Sequence, residues 1–383
     1  MSDSRARRLK VCFVVPSLAG GGAERVAVQV LNALDAERWD RSMFLFERSG
    51  PYLDDLSPTI HLEAAAATLS VGRFARWNAL RRFIRRARPD VIVAFLSYLS
   101  VLTAARAAGV GAKVVFAVGT PMSAFLTDAD YRWSRPWNRR LLSTAMRIGC
   151  TVTDLVLATS QGVADDLIES FHGQSARVRV VNNPVDLAAV AAAADEPLDA
   201  RDAARWHRPV IVAAGRLAAV KNYPLLIEAV AILRQRTPAS LFILGEGDQE
   251  PALRRIIHER ALDDCVHLCG FRANPWSYIA RADVFALTSR YEGFGNVIVE
   301  AMACGVPVVA TSSSGTREIV TTGVTGLLVE THEPAAFAAA LAAVVNDDVL
   351  RRTMADSARR HAERYRTESI ALAYDRVLTE ALA

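Results

Sequence analysis

Only five cysteines occur in 383 residues, an odd and scattered set. That argues against a disulfide framework and for a reducing compartment. No apolar run approaches the roughly 18 residues that a membrane-crossing helix needs. The opening MSDSRARRLK lacks the apolar stretch of a secretion signal. Charge is nearly balanced, 45 basic against 41 acidic side chains for a net +4, which permits anionic partners without requiring one. No RNA-binding signature is present, so a nucleic-acid partner has no support. What is there is 51% hydrophobic and 22% charged, a globular composition in a chain long enough for two domains. A cytoplasmic, two-domain protein is expected.

Short apolar runs alternate with helical patterns from end to end. KVCFVVP (10–16) suits a buried strand, and Ala27, Val30, Leu31 and Leu34 behind it form the stripe of a covering helix. The rhythm recurs at DVIVAF (90–95), KVVFAV (113–118) and DLVLAT (154–159). It breaks over 182–208, where the turn chemistry of NNPVD precedes an alanine- and acid-rich stretch without a strand. It restarts with PVIVAAG (209–215), SLFILGEG (240–247), CVHLCG (265–270), DVFALT (283–288) and VPVVAT (306–311). Continuous apolar strands separated by helices imply parallel sheets covered on both faces. The expected architecture is α/β, with two Rossmann-like, doubly wound domains at 1–185 and 209–364 facing across a cleft. A linker at 186–208 joins them, and a C-terminal helix at about 365–383 is expected to pack back on the first.

Three stretches carry chemistry. Gly20, Gly21 and Gly22 lie between the first strand and a helix, where backbone can approach a ligand and a helix N-terminus favours an anion. A dinucleotide fingerprint wants glycine at 25, which is Arg25, although Glu47 after the second strand imitates its ribose-binding acid. Next, GRLAAVKNYPLLIEAVAIL (215–233) sets Gly215, Arg216 and Lys221 in a strand-to-helix loop. Asn222 is the expected cap, and Pro224 opens a helix whose Leu226, Ala229, Val230 and Leu233 face the sheet. Open α/β sheets bind ligands at that end. Two cations there suit a diphosphate, arginine as a planar fork and lysine as a point charge. Third, SRYEGFGNVIVEAMACGVPVVAT (289–311) puts Glu292 in a loop, turns at Gly293 and Gly295, and carries Glu300 on the next helix. A carboxylate accepts from two vicinal hydroxyls, so ribose and hexose are natural partners. The amides around Phe294, Gly295 and Asn296 can meet phosphate oxygens or sugar hydroxyls.

Two further features point less sharply. Cys265, His267 and Cys269 alternate along one strand, but three ligands within five residues on a straight strand make poor tetrahedral geometry, so no zinc is expected. GRFARWNALRRFIRRARPD (72–90) sets Phe74, Trp77, Leu80, Phe83 and Ile84 along one side and carries seven arginines. It reads as a crossover helix with a solvated outer face, or as a basic amphipathic helix in peripheral contact with an anionic membrane.

Taken together, GGGAER, GRL-x-x-x-KN-x-P-x-L-I-x-A, LGEG and EGF-x-N-x-x-x-EAMACG-x-PVVAT resemble the retaining GT-B glycosyltransferases of glycosyltransferase family 4. The resemblance covers nearly the whole chain and is most specific from Gly215 to Thr311. It implies a metal-independent enzyme without a cofactor. Such an enzyme moves a hexose or N-acetylhexosamine from a nucleotide-diphosphate sugar to a glycan or lipid-linked acceptor in bacterial envelope polysaccharide synthesis. UDP is favoured over GDP, and the inner face of the cytoplasmic membrane becomes a natural location. The second domain would hold the sugar nucleotide and the first the acceptor.

Carried over residue by residue, Arg216 and Lys221 match the pair on the diphosphate and Glu292 the glutamate near the transferred sugar. These are the expected catalytic residues. Glu300 matches the glutamate on the ribose, with Gly215, Gly293, Phe294, Gly295 and Asn296 completing the donor side. Phe271 and Arg272 lie where the family frames the base, and Gly20, Gly21 and Gly22 match a flexible loop near phosphates and acceptor. One departure stands out. Many members carry a polar side chain after the fourth apolar strand of the first domain, where this chain has Val118-Gly119-Thr120-Pro121, leaving Thr120 or a backbone group to substitute. Two other readings compete: a nicotinamide-dependent oxidoreductase, prompted by the glycine loop and Glu47, and a catalytically silent partner subunit that binds sugar nucleotide. The first leaves Arg216, Lys221, Glu292 and Glu300 unexplained.

Overall fold

In strand β1 (Leu9–Val15) the pleat sends Val11, Phe13 and Val15 to one face and Cys12 and Val14 to the other, and all five are fully buried. Such a strand needs helices on both faces. The computed structural model describes residues 7–65, 72–127 and 136–383, with 136–138 in backbone only. It supplies that arrangement twice, in two separate units. The first holds the described residues up to Pro184 together with Thr367–Ala383, and the second holds Val185–Arg366.

In the first unit β1 joins β2 (Trp39–Leu45), β3 (His61–Ala64), β4 (Val91–Phe95), β5 (Lys113–Val118), β6 (Leu155–Ala158) and β7 (Val178–Val180). The sheet is wholly parallel, in the order β3-β2-β1-β4-β5-β6-β7. The last helix, Thr367–Leu382, lies on it through Ile370, Tyr374 and Leu378. Burying side chains of this size is worth about 1.5–3 kcal/mol each, and Asp375 adds a hydrogen bond from the Trp39 indole at 2.6 Å. This helix is part of the first core.

The second unit repeats the scheme with β8 (Val210–Ala214), β9 (Ser240–Leu244), β10 (Val266–Leu268), β11 (Val284–Leu287), β12 (Val308–Thr311) and β13 (Gly326–Val329), again all parallel, in the order β10-β9-β8-β11-β12-β13. Here Ile211 and Ala213 face one core and Val210, Val212 and Ala214 the other.

Two expectations need correction. Residues 186–208 are no spacer, because they fold with the second unit. Asp186 caps the helix Leu187–Ala194 by accepting from the Ala189 amide at 2.9 Å, Val190 is buried, and the Trp206 ring lies 4.6 Å from Phe242. The apolar row of 72–90 also divides. In the helix Arg73–Ala87, Leu80, Phe83 and Ile84 are spent on the core, Trp77 is half-buried, and Phe74 stays 77% exposed. A helix crossing over a sheet must bury that side, so most of it is unavailable to any other surface.

Asp202 shows how tightly the supposed linker is held. It is buried, and it accepts from the Arg272 guanidinium at 2.8 Å and the Tyr278 hydroxyl at 2.7 Å. Burial works to raise its pKa, but those two donors hold it below the ordinary carboxylate value. The stabilisation is therefore present above the unfolded-state pKa, about 4, and lost as pH falls through the lower folded value. Asp202→Asn should cost about 1–3 kcal/mol at neutral pH. Urea unfolding at pH 7 and pH 3 checks this: the gap between variant and wild type should narrow at the lower pH, and an unchanged gap would show that the charge is not what ties the segment down.

Candidate active site

The strand order of the second sheet reverses between β8 and β11. Ligands of open α/β sheets bind at the carboxyl ends of the strands beside such a reversal. Lys221 comes from the β8 loop and Glu292 from the β11 loop, and their Nζ and Oε1 atoms meet at 2.6 Å. The pair is largely shielded, with 21% and 14% of the two side chains exposed. Further bonds sew the loops together. The Ser289 hydroxyl donates to Glu292 Oε1 at 2.6 Å, the Thr288 hydroxyl to the Lys221 carbonyl at 2.9 Å, and the Arg290 amide to the Val220 carbonyl at 2.8 Å.

Local sequence explains the geometry. Gly215 has φ 148°, outside the range that other residues adopt readily, and this turns the chain off β8 so that its carbonyl accepts from the Tyr223 hydroxyl at 3.1 Å. A Cβ on Gly245 of the LGEG stretch would lie 2.1 Å from that same carbonyl oxygen, so the β9 loop reaches the β8 loop only as glycine. Arg216 is exposed in the loop, and among the described residues it makes no ion pair. Asn222 does not cap the helix Tyr223–Leu233 through its side chain. It sits at φ 50°, and tolerance of the left-handed conformation is what it contributes.

On the β11 side the helix Asn296–Ala303 starts from Gly295, whose φ of 97° only glycine adopts readily. Glu300 is only 6% exposed, and one carboxylate oxygen accepts from the Trp276 indole N–H at 2.8 Å. A charge at that depth needs hydrogen bonds to be held. The structure thus joins Lys221 directly to Glu292 and fixes Glu300 one helix turn further in.

Other expected positions separate. The Phe294 ring is buried against Tyr365, with centroids 5.2 Å apart, so only its backbone can face a ligand. Arg272 is engaged by Asp202 and by the Tyr278 hydroxyl at 2.9 Å, which gives it a structural place in the second unit. Phe271 is 60% exposed, and its amide donates to Glu246 Oε1 at 3.3 Å. In the first unit Gly20 and Gly21 precede the helix Gly22–Ala33, and Gly22 is its first residue. Thr120 is half-buried after β5.

Sequence reasoning missed several residues here. Ser289, Trp276 and Glu246 support the named ones, and of these Trp276 alone lay outside the quoted stretches. The Thr159 hydroxyl is buried without a hydrogen-bond partner beside Gly119, whose added Cβ would lie 3.7 Å from the Thr159 methyl. Leu96, just past β4 at the reversal point of the first sheet, holds φ 63° and is 53% exposed. A leucine in the left-handed region is uncommon and marks a backbone fixed by its surroundings. Neither signal can be read from composition. His267 is buried in the core beside Phe242, and burial foremost, then Arg205, pushes its pKa down. Among the described residues no group of three or more His, Cys, Asp or Glu is placed to hold a metal ion.

With this geometry in place, comparison with known proteins is decisive. A model of glycosyltransferase family 4 matches residues 20–189, and a model of the glycosyl transferases group 1 matches residues 198–361. The chain belongs to the GT-B glycosyltransferases of family 4. It is 35% identical over 219 residues to the N-acetylgalactosamine-N,N'-diacetylbacillosaminyl-diphospho-undecaprenol 4-alpha-N-acetylgalactosaminyltransferase of Campylobacter jejuni, an alignment spanning 57% of this chain and 58% of that one. It is 29% identical over 342 residues to the lipopolysaccharide core biosynthesis glycosyltransferase LpsE of Rhizobium meliloti, spanning 88% and 89%. In fold it matches the Anabaena protein HepE, crystallised with UDP and glucose, at TM-score 0.79 and 23% identity over 97% of this chain and 100% of that one. Family membership removes the nicotinamide reading: the glycine loop that prompted it opens the stretch matched by the family 4 model. Among the described residues of this glycosyltransferase, no helix is long and apolar enough to cross a membrane.

The Glu292 loop rests on Gly315, where an added Cβ would lie 2.7 Å from the Glu292 carbonyl oxygen and 2.8 Å from the Gly293 carbonyl carbon. Gly315→Ala should therefore push the loop off its seat at a cost of about 1–3 kcal/mol. Thermal unfolding and the binding of nucleotide sugar both report on it. A variant unchanged in both would show that the loop does not depend on this contact.

Proposed function

We propose that this chain transfers a hexose or N-acetylhexosamine from a nucleotide-diphosphate sugar, UDP favoured over GDP, to a glycan or lipid-linked acceptor of the bacterial envelope. Transfer proceeds with retention of configuration and without a metal. The observation that carries the reading is the Lys221–Glu292 pair across the reversal point of the second sheet, with Arg216 exposed in the same loop. The likeness to one glycosyltransferase named for a diphospho-undecaprenol substrate and to another named for lipopolysaccharide core biosynthesis supports the acceptor class.

Transfer breaks the bond between the anomeric carbon and the diphosphate, so negative charge grows on the leaving oxygens. Arg216 and Lys221 stabilise that charge more as it develops than before, which is how a fixed cation accelerates a step. They supply the positive charge that a metal would otherwise bring. The acceptor hydroxyl attacks the same face, and its proton passes to the departing phosphate oxygen. Glu292 neutralises Lys221 until a diphosphate competes for it, and its carboxylate can then accept from sugar hydroxyls. Glu300, fixed by Trp276, accepts from the ribose. The acceptor side is formed by Gly20, Gly21, Gly22 and Thr120.

Arg216→Ala should leave the fold intact and lower turnover at least about tenfold, since losing one such donor typically costs on the order of 3 kcal/mol. Near-normal turnover would remove Arg216 from the mechanism, and absence of both transfer and donor hydrolysis in the wild-type chain would favour a silent partner subunit. A thermal-shift panel of UDP-, GDP-, ADP- and dTDP-sugars identifies the base. A matched donor at about 100 times its Kd adds about 2.7 kcal/mol of stability.

The same reading places the protein on an anionic membrane, through Phe74 and the arginines of Arg73–Ala87. Two observations on the first unit favour it. Phe74 is exposed and stacked on Trp77 at 5.9 Å, and Leu141 and Ile148, at 63% and 53% exposure, stand beside Arg140 and Arg147 on the helix Pro136–Val152. Phe74→Asp should weaken copelleting with phosphatidylglycerol vesicles at low salt. No copelleting of the wild type under those conditions would retire the membrane contact.

A further inference from the structure

Away from the Lys221–Glu292 pair, the second unit has an open cavity of about 360 Å³, lined by Thr321, Thr325, Ser357, Arg360, His361 and Arg364. It sits at the end of the helix Asp348–Ala362 and the turn Glu363–Tyr365 that follows. Arg360 and Arg364 are four residues apart and face the same way, an arrangement that is unfavourable for like charges left to themselves. Among the described residues neither makes an ion pair. The one acid in their turn, Glu363, is taken by Arg366, whose Nε donates to it at 3.1 Å. His361 registers the excess of positive charge: burial foremost and then Arg364 push its pKa down.

The hydroxyls are set the same way. Thr325 Oγ1 already accepts from the Thr321 amide at 2.9 Å, and Ser357 Oγ accepts from Arg360 Nη2 at 3.2 Å. Each therefore has its proton left to donate. Two guanidinium groups and hydroxyls with a proton to donate around one opening match the chemistry of a phosphate, which takes several charge-assisted bonds at once.

We propose that this cavity is a second anion site that binds a phosphate-bearing ligand, independently of the sugar nucleotide. The shared chemistry is a phosphate group, carried either by a small soluble molecule or by a lipid headgroup.

The test measures binding of inorganic phosphate by calorimetry, and binding of vesicles containing phosphatidic acid by flotation, to the wild-type chain, to Arg216→Ala, and to the double variant Arg360→Ala, Arg364→Ala. Both arginines are exposed, so the double variant should melt as the wild type does, and Arg360→Lys, Arg364→Lys should restore part of the binding. The proposal expects phosphate affinity to fall at least about tenfold in the double variant and to be retained in Arg216→Ala. Vesicle binding lost only in the double variant, without binding of free phosphate, identifies the lipid as the source. Phosphate and vesicle binding lost in Arg216→Ala but kept in the double variant would return the ligand to the sugar-nucleotide loops and overturn the second site. Absence of binding to either probe, up to about 10 mM phosphate, would also overturn it. Neither outcome depends on whether the chain transfers sugar.

Discussion

The donor side hangs on one constraint: a cation and a carboxylate held in contact across the point where a parallel sheet reverses its strand order. Lys221 and Glu292 are 71 residues apart, yet their loops leave adjacent strands, β8 and β11, and cannot avoid one another. A largely shielded ion pair is a poor source of stability, because desolvating both charges offsets most of their attraction. Hydrophobic residues would close the gap between the loops more cheaply. The surroundings are built to preserve the pair instead: Ser289 donates to the carboxylate and Thr288 fixes the lysine backbone. Such an arrangement makes sense when an incoming ligand exchanges one partner for another. A diphosphate brings the negative charge that Glu292 otherwise supplies, and it releases that carboxylate for hydroxyl groups.

Arg216 and Glu300 take up the complementary positions of exposed and buried charge. An exposed guanidinium loses little by reorienting toward a phosphate, and its fork suits two oxygens at once. Glu300 is a buried carboxylate held by the Trp276 indole, so its position is fixed rather than mobile. Preorganisation of this kind lowers the cost of ordering side chains when a ligand arrives.

How much of this was legible in the sequence depends on whether a feature is local. Strands buried on both faces announce themselves as unbroken apolar runs, which is why the elements around Val91, Lys113, Val210, Ser240 and Val308 stand where the pattern puts them. β3, β7 and β13 are three or four residues long and only partly buried, too short to show a period. The alternation of glycine and charge in GRL, LGEG and EGFGN pointed to loops at the carboxyl ends of strands, and the loops are there. Residue-level contacts were less visible. Nothing in EGFGN distinguishes the buried Phe294 from a ligand-facing ring, because its partner Tyr365 lies 71 residues on. Arg272 likewise looks free until Asp202, in a stretch that reads as linker, folds back to meet it. The same remoteness hid Trp276 beneath Glu300.

Tyr365 also explains why the arginine-lined cavity and the Glu292 loop belong to one mechanical cluster. Its ring packs on Phe294 and lies 5.8 Å from His361, and its carbonyl accepts from the Val185 amide at 2.8 Å. Val185 and Arg366 form a β-bridge, so the chain enters and leaves the second unit at a single place. A second route runs through the helix Ser314–Ile319. Its Gly315 abuts the Glu292 and Gly293 backbone, and two residues past its end Thr321 lines the cavity. Packed interiors transmit displacement because they have little room to absorb it. Phe294 and Gly315 are both buried contacts of this kind. Cavity and loop thus rest on one packed framework while offering different side chains to a ligand, Arg360 and Arg364 at the cavity and Arg216 and Lys221 at the loops.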